Sequence, residues 1–384
     1  MVRSLGLYSK DRLSRRGPEA VSSPRSLGKG FYQAWLVHCD EGQQDVIHDL
    51  TKGRLTQDMR AVLMHKRGGP EELVYQEAPR PSPQAGDALV RVHACAITPT
   101  ELSWTETYTT RQGGSRLPTI PGHEMSGIVE TASSDEAGPK AGEAVYGLTD
   151  FSRNGAAAEY TVVHAADLAP KPKTLSHTQA AAVPLSGLTA WQALFDHAGL
   201  QKGQRVLIHG GAGGVASFAV QLAHWRGAHV ISTARTVDSE LLRELGADEV
   251  IDYTSVRFEE KVREVDVVLD AVGGDTLDRS WQVLSRGGVL VTVVGTAPAD
   301  QAARYGVRGV YFIVKPSREE LIDIADLIDV GKLRPIIGAT YPLEKARDAF
   351  ERALRGHNQG KLVLQVAEEA DVDAARAGAN TSIK

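Results

Sequence analysis

The sequence predicts an α/β protein in which a doubly wound parallel sheet accompanies a β-barrel-type domain. Three observations support this prediction. Strands and helices alternate over 205–294, short strands separated by glycine and proline run over 59–163, and a glycine-rich turn at 210–216 joins a strand to a helix. With 384 residues the chain is too long for one compact core, so two domains are expected.

The composition is that of an ordinary globular protein, with 42% hydrophobic and 24% charged residues. The net charge of −5 gives no electrostatic reason to expect a nucleic acid or an anionic membrane as partner. No apolar run approaches the roughly 18 residues of a membrane span. The cysteines, Cys39 and Cys95, are too few for a disulfide framework or a four-cysteine zinc lobe, so a reducing, cytoplasmic location is expected.

The predicted β domain begins with short strands. Gly68-Gly69-Pro70 forms a turn between the first two, and Pro79, Pro81 and Pro83 end the second. Strands are expected at 60–64, 73–77, 88–94, within 120–130, and at 144–146 and 158–163. Short strands with such turns between them are typical of a β-barrel.

After Ser176 the hydrophobic period becomes helical. A helix is expected over 178–197, broken near Pro184 because proline cannot continue the hydrogen-bond ladder. The alternation that follows predicts a parallel sheet. Its strands are expected at 206–209, 229–233, 249–251, 265–270 and 289–294, and its helices at 215–226, 239–245 and 275–284.

The end of the chain returns to the β domain, with helices at 318–330 and 343–354 and a strand at 361–364. We therefore predict a β domain over 59–184 and 327–366, a parallel-sheet domain over 185–326, and a cleft between them that could bind a ligand. Residues 1–58 form an extension without an assigned role, and 367–384 a tail. The Arg- and Ser-rich start resembles a transit peptide in composition only, because it lacks a helical apolar stripe.

The glycine turn is the most specific motif. Gly211, Gly213 and Ala216 fit the pattern G-x-G-x-x-A between a strand and a helix. The first glycine permits a sharp turn, the second lets a pyrophosphate approach the backbone, and the small third residue allows close packing. Free N–H groups at the helix N-terminus then bind the anion. The predicted dinucleotide-binding residues of the turn are Gly211, Ala212, Gly213, Gly214 and Val215.

The end of the next strand predicts which dinucleotide binds. An acid at this place holds the ribose 2′-hydroxyl of NAD(H), whereas an arginine attracts the 2′-phosphate of NADP(H). The strand ends in Thr233-Ala234-Arg235, and the first acid is Asp238. We therefore expect NADPH, with Thr233 and Arg235 in its site. The alternative is that Arg235 is a solvated surface residue.

From about Met59 to Val366 the chain resembles the medium-chain dehydrogenases/reductases, and within them the zinc-independent quinone oxidoreductases. The segments that carry the resemblance are Gly68-Gly69-Pro70-Glu71, Pro121-Gly122-His123-Glu124-Met125-Ser126-Gly127, Ala158-Glu159-Tyr160, Gly187-Leu188-Thr189-Ala190-Trp191, the glycine turn, Leu245-Gly246-Ala247, Asp270-Ala271-Val272-Gly273-Gly274 and Gly360-Lys361-Leu362-Val363-Leu364. The resemblance implies a GroES-like domain, a Rossmann domain and NADPH as hydride donor. It also allows a homodimer formed through an edge of the Rossmann sheet.

A catalytic zinc is not expected, since it needs three protein ligands. His123-Glu124 matches the pair used by zinc alcohol dehydrogenases. The other two ligand positions of that branch fall near Thr98 and Ala182, and neither side chain suits zinc.

Hydride transfer leaves an oxyanion that needs a hydrogen-bond donor, and the candidates are Thr98, Tyr108 and His123. Trp104 and Tyr108 could stack on a flat substrate, or could equally be packed within the β domain. Thr98 stands where quinone oxidoreductases usually have asparagine. The resemblance further assigns to the cofactor Thr189, Tyr253, Val272, Gly295, Phe312 and Lys361. Of these, Lys361 could reach a cofactor phosphate or could equally be a surface lysine.

These observations predict an NADPH-dependent oxidoreductase that passes hydride to a small quinone or α,β-unsaturated carbonyl compound without zinc. An alcohol dehydrogenase or an enoyl-thioester reductase on the same fold is one alternative. A non-enzymatic NADPH-binding sensor or structural protein is another, because fold alone does not fix function.

Overall fold

The computed structural model describes residues 58–110, 112–133 and 138–368. The predicted N-terminal extension, except Asp58, and the tail beyond Glu368 lie outside the described residues. The strands are β1 Asp58–Met64, β2 Leu73–Pro79, β3 Asp87–Ile97, β4 Glu124–Thr131, β5 Ala144–Leu148, β6 Tyr160–His164, β7 Leu168–Pro170, β8 Arg205–Ile208, β9 His229–Ala234, β10 Glu249–Asp252, β11 Val265–Asp270, β12 Leu284–Thr292, β13 Arg308–Tyr311, β14 Ile337–Pro342 and β15 Lys361–Gln365.

The α-helices of the described part are short, and none combines the length and apolar character needed to cross a bilayer. They are α1 Thr105–Tyr108, α2 His177–Ala181, α3 Pro184–Trp191, α4 Gly214–Arg226, α5 Ser239–Glu244, α6 Phe258–Lys261, α7 Gly274–Ser280, α8 Ala299–Tyr305, α9 Arg318–Asp329 and α10 Ala346–Leu354.

The β domain is built around β3, which is buried along almost its whole length. One sheet has the order β14-β15-β3-β4-β5-β7, and β6 also pairs with β3. The hairpin β1-β2 forms a separate two-stranded sheet. β14 and β15 therefore complete a sheet whose central strand, β3, lies far earlier in the sequence. The β domain is thus assembled from segments that lie before and after the parallel sheet in the sequence.

An ion pair anchors the start of β3. Arg153 donates to both carboxylate oxygens of Asp87 at 2.8 Å, and His164 Nδ1 lies 2.9 Å from Asp87 Oδ1. Asp87 is 3% exposed, and the hydrogen bond from Arg153 lowers its pKa to about 2. The Asp87 carboxylate therefore stabilises the fold at every pH at which it stays ionised.

We expect Asp87→Asn to lower the free energy of unfolding by about 2 kcal/mol at pH 7, because Arg153 loses its partner. The folded-state pKa lies below the ordinary value, so this contribution is present above pH ~4 and is lost as the pH falls toward 2. Urea unfolding of wild type and variant at pH 7 and at pH ~2 measures this contribution to the free energy of unfolding. The control is Glu130→Gln, which removes the carboxylate of the more exposed ion pair with Arg80. A difference from wild type that persists at pH ~2 contradicts the assignment.

The second sheet is entirely parallel, with the order β10-β9-β8-β11-β12-β13. β8 and β11 carry apolar residues on both faces, as strands covered on both sides require. The chain proceeds from β8 to β9 and β10, and then crosses to β11, β12 and β13 on the other side. The strand order reverses between β8 and β11, which is where such sheets bind ligands. The predicted doubly wound sheet is confirmed.

The predicted helix over 178–197 is interrupted. α2 ends at Ala181, α3 begins at Pro184, and a π-helical segment, Gln192–His197, follows. Pro184 occupies the first turn of α3, where its missing N–H has no consequence. The break predicted at this proline therefore starts a new helix.

The two sheets share contacts near the glycine turn. One hydrophobic cluster combines Tyr146 of β5 and Leu188 of α3 with Ile324 of α9. Gly213 forms an isolated parallel bridge with Gly360, whose N–H donates to the Ala212 carbonyl at 2.7 Å. The residue directly before β15 is thereby held against the turn that follows β8.

Candidate functional site

The glycine turn departs in detail from the predicted roles of its glycines. The left-handed residue is Gly210, with φ +72°, so this residue makes the sharp turn. A Cβ on Gly211 would lie 2.1 Å from Ser232 Oγ, so Gly211 is needed for packing against β9. Gly213 precedes α4 in extended conformation, and α4 begins at Gly214. The sequence does not single out Gly210, because either of the adjacent glycines Gly210 and Gly211 could make the sharp turn.

A buried histidine beneath the turn was also missed. His209 Nδ1 lies 3.0 Å from Thr233 Oγ1, and its Nε2 lies 3.0 Å from Ser280 Oγ. Burial lowers the pKa of His209 to about 3, with Arg279 contributing, so the ring is neutral. Thr233 is buried and its hydroxyl also accepts from the Gly210 N–H at 3.3 Å. Thr233 therefore supports the turn from below, whereas the sequence predicted a cofactor contact.

A cavity of about 820 Å³ lies beside the turn. Residues of the β domain and of the parallel-sheet domain line it together. Ala216 and Gly210 line it together with several residues that the sequence predicted. The predicted residues that line the cavity are Thr98, Trp104, Thr189, Gly213, Gly214, Val215, Phe312 and Lys361. The volume suits a ligand larger than a single small metabolite.

Other predicted cofactor residues lie outside the lining of this cavity. Val272 and Tyr253 follow the ends of β11 and β10, and their side chains are about half exposed. Gly295 follows β12 and has open space where a side chain would project. Gly211 and Ala212 lie in the turn itself, where the Gly211 N–H donates to the Thr233 carbonyl and the Ala212 carbonyl accepts from the Gly360 N–H. Because Tyr253, Val272 and Gly295 share the carboxyl edge of the parallel sheet, an extended ligand at the turn can reach them.

Arg235 follows β9 and is held by neighbours. Its Nε lies 3.0 Å from Asp238 Oδ2, and its Nη2 donates to the His357 carbonyl at 3.3 Å. Asp238 is buried and also accepts from Gln359 Nε2 at 2.7 Å. The Arg235 side chain keeps 30% of its surface exposed. The guanidinium is therefore pre-positioned at the strand end, with part of it accessible to an anion.

A buried ion pair lies at the wall of the cavity, which its lysine lines. Lys361 Nζ donates to Thr98 Oγ1 at 3.1 Å and lies 2.5 Å from Glu124 Oε1. Glu124 Oε2 accepts from the Leu185 N–H at 3.1 Å. Burial raises the pKa of Glu124, and the ammonium of Lys361 opposes this shift. From the sequence, Glu124 is only the companion of His123, and Lys361 is expected at the cofactor.

A second buried carboxyl group lies near this pair. Glu101 is 1% exposed and its Oε2 accepts from the Gly122 N–H at 3.2 Å. Burial raises the pKa of Glu101 to about 8, so the group is protonated at neutral pH. It therefore adds no negative charge to the ion pair of Lys361 and Glu124.

Tyr108 does not line the cavity, contrary to the sequence prediction. It is 4% exposed, and its hydroxyl donates to the Leu102 carbonyl at 2.7 Å. The phenol is packed in the core of the β domain beside Met64. The alternative of packing within the β domain describes Tyr108, which touches neither substrate nor oxyanion in this arrangement.

His123 is likewise buried behind the cavity wall. Its Nδ1 lies 2.9 Å from Thr149 Oγ1, and its ring meets Phe151 edge-on at 5.2 Å. Burial first, and then Arg116, lower the pKa of His123 to about 3. Trp104 stacks over His123 and itself lines the cavity. His123 therefore lies behind the aromatic wall and is not among the residues that line the cavity.

The zinc implied by one branch of the resembled family does not fit these residues. His123 bonds Thr149, Glu124 pairs with an ammonium, and the two remaining ligand positions hold Thr98 and Ala182. Within the described ranges, no three His, Cys, Asp or Glu side chains are grouped so that they could hold a metal ion.

Comparisons with known proteins agree with this architecture. A family model described as "Alcohol dehydrogenase GroES-like domain" matches residues 84–173, and one described as "Zinc-binding dehydrogenase" matches 245–364. The "Probable zinc-binding oxidoreductase, mitochondrial" of Arthroderma benhamiae is 34% identical over 77% of this chain and 93% of that protein. The human "NAD(P)H oxidoreductase RTN4IP1, mitochondrial" is 31% identical over 90% of this chain and 91% of its own.

A solved structure with the same fold is the quinone oxidoreductase from Coxiella burnetii. It has a TM-score of 0.74 and 32% identity, and covers 81% of this chain and all of that one. The GroES-like domain and the Rossmann sheet are thus both present. The cytoplasmic location expected from the cysteine content is wrong, because both of the relatives named above are described as mitochondrial. Since two relatives above 30% identity match over more than three quarters of this chain and nine tenths of their own length, this chain belongs to the medium-chain dehydrogenase/reductase superfamily, and both of these relatives are named oxidoreductases.

Proposed function

We propose that this protein transfers hydride from NADPH to a quinone or an α,β-unsaturated carbonyl compound without zinc. The observation that carries the proposal is a shared cavity, in which Gly213 and Gly214 of the turn face the same space as Thr98 and Trp104. NADPH bound at the turn would supply the hydride. The chain would hold cofactor and acceptor side by side and exclude water from them.

The preference for NADPH rests on Arg235. Its accessible guanidinium can pair with the 2′-phosphate of NADP(H), and Tyr253 is adjacent because its N–H donates to the Ala234 carbonyl at 3.2 Å. Asp238, the first acid after the strand, is buried in contact with Arg235 and Gln359. It is therefore poorly placed to hold a ribose 2′-hydroxyl.

The acceptor class is supported by the aromatic wall and by the charge of the site. Trp104 packs edge-on against Phe151 at 5.1 Å and lines the cavity, which suits a flat conjugated acceptor. Lys361 supplies a cation beside Thr98, so the oxyanion of the reduced acceptor can be stabilised without a metal. The name of the Coxiella structure is consistent with a quinone.

A mitochondrial location belongs to the same proposal, on the strength of the names of the two relatives. The Arg- and Ser-rich composition of the first thirty residues is compatible with it. Expression of the full chain with a C-terminal fluorescent tag in a eukaryotic cell tests this, and exclusion from mitochondria would contradict it.

Removal of the guanidinium should change cofactor choice. We expect Arg235→Ala to raise the KM for NADPH by about 10- to 100-fold, since a charge-assisted hydrogen bond contributes roughly 1.5–3 kcal/mol. The KM for NADH should change little, because NADH has no 2′-phosphate. Initial rates with one quinone acceptor and each cofactor measure both values.

Arg243→Ala is the matched control, because Arg243 is an exposed arginine on α5. It removes the same charge from the protein without touching the end of β9. Equal losses with NADPH and NADH in Arg235→Ala would show that Arg235 only supports the fold.

A further inference from the structure

Backbone hydrogen bonds and close packing fix the position of Lys361 at the start of β15. Gly360, at φ +62°, donates to the Ala212 carbonyl at 2.7 Å, and the Lys361 N–H donates to the Ile336 carbonyl at 2.8 Å. A Cβ on Gly214 would lie 2.8 Å from Lys361 Cδ. The glycine at the start of α4 thus leaves room for the lysine stem. The backbone and the stem both direct this side chain past the turn toward Thr98, which also lines the cavity.

The ammonium at the end of this stem is almost fully buried, since the Lys361 side chain is 8% exposed and that of Glu124 1% exposed. A lone buried cation would be strongly destabilising, and Glu124 at 2.5 Å compensates its charge. Glu101, protonated at neutral pH, leaves the pair without a second negative charge nearby. The pair is therefore close to neutral before an acceptor binds.

Thr98 links this pair to the cavity. A threonine hydroxyl has one proton and two lone pairs. Because Thr98 Oγ1 accepts a hydrogen bond from Lys361 at 3.1 Å, its own proton is available to an oxygen in the cavity that Thr98 lines. The adjacent cation polarises the hydroxyl and makes it a stronger donor.

We propose that Lys361, held by Glu124, is a positioning residue that acts through Thr98 to stabilise the oxyanion of the reduced acceptor. When hydride adds to an enone or a quinone, the electron pair displaced from the conjugated system moves to the carbonyl oxygen, which becomes negative. Thr98 donates its hydrogen bond to that oxygen, and water supplies the proton that completes the reduction. This inference rests on the proposed function, but it departs from a role of Lys361 in binding cofactor phosphate.

The first test measures binding of an oxyanion and needs no turnover. The protein with NADP⁺ is titrated with 4-nitrophenol above the pKa of the phenol, and the bound phenolate is followed by its absorbance. We expect wild type to bind it and Lys361→Met to bind it at least about 10-fold more weakly, the effect of one charge-assisted hydrogen bond. Failure of wild type to bind the phenolate overturns the inference.

Lys361→Met leaves Glu124 buried without a partner, so Lys361→Met/Glu124→Gln is measured beside it to separate lost charge from lost folding. Lys332→Met, at an exposed lysine, is the control and should bind like wild type. If the double variant binds the phenolate as tightly as wild type, the inference is wrong.

The second test uses NADPH oxidation with an enone. Lys361→Met should lower kcat about 10- to 100-fold while the KM for NADPH stays within about threefold, because the oxyanion forms only during reaction. Thr98→Ser should retain most activity. Adding Lys361→Met to Thr98→Val should cost little more than Thr98→Val alone, because the lysine acts through the hydroxyl.

A raised KM for NADPH with unchanged kcat in Lys361→Met would assign the lysine to cofactor phosphate and overturn the inference. Independent, multiplying effects of the two substitutions would do the same. The two tests also separate this inference from the proposed function. If wild type binds the phenolate in a Lys361-dependent manner but reduces no quinone or enone, the acceptor class is at fault and the oxyanion site stands.

Discussion

Gly213→Val is expected to weaken NADPH binding about 100-fold while the protein remains folded. Gly213 lines the cavity and has an ordinary backbone conformation, so valine can adopt its φ and ψ angles. A Cβ there would meet only the Gly210 carbonyl oxygen, at 3.1 Å. The added side chain would occupy the space that a pyrophosphate needs near the backbone of the turn. Loss of two charge-assisted hydrogen bonds at about 1.5 kcal/mol each raises the Kd roughly 100-fold.

Quenching of tryptophan fluorescence by NADPH, or calorimetric titration, measures this Kd, and thermal unfolding without cofactor checks the fold. Ala303→Val on α8 is the control, because it adds the same side chain at an exposed position away from the cavity. A Kd for Gly213→Val within threefold of wild type would mean that the cofactor does not bind at this turn.

Gly360→Ala should cause a large loss of stability. The residue has φ +62°, which costs a non-glycine residue roughly 1–2 kcal/mol. In addition, its Cβ would lie 1.8 Å from the Ile336 carbonyl oxygen, a backbone atom that cannot rotate away. Together these effects should lower the free energy of unfolding by roughly 2–5 kcal/mol. Urea unfolding at pH 7 measures the loss.

Gly356→Ala is the matched control, because Gly356 also has a positive φ, +73°, but has open space where the Cβ would project. It should lose only the conformational cost of about 1–2 kcal/mol. Equal losses in the two variants would show that the contact between Gly360 and Ile336 contributes nothing. The same comparison shows how far the backbone at Gly360 supports the site, because Gly360 is bridged to Gly213 and directly precedes Lys361.

The features that the sequence predicted well are local. The turn at 210–216 and the two strands around it lie within about thirty residues, and both the glycine spacing and the alternation of apolar residues are visible there. The same is true of the break at Pro184. The roles of Gly210 and Gly211 could not be separated, because they depend on Ser232 on the neighbouring strand and on a left-handed φ angle.

The features that the sequence missed depend on distant contacts. Lys361 and Thr98 are 263 positions apart and meet only because β15 pairs with β3. His209 could not be recognised as the support of the turn without Ser280, 71 positions away. The sequence left Tyr108 open between a substrate contact and packing within the β domain, because the Leu102 carbonyl to which its hydroxyl donates is brought to it only by the fold.

The error about location has a chemical reason. A low cysteine content excludes a disulfide framework, and it does not distinguish one reducing compartment from another.

The central claim is that the cavity beside the glycine turn supports NADPH-dependent reduction without zinc. The most direct measurement is NADPH oxidation at 340 nm with a panel of quinones and enones, by protein freed of metal with a chelator and checked by elemental analysis. The account predicts full turnover of at least one acceptor by the metal-free protein, with kcat/KM for NADPH about 10-fold or more above that for NADH. Activity that returns only when zinc is added, or a preference for NADH, would contradict it.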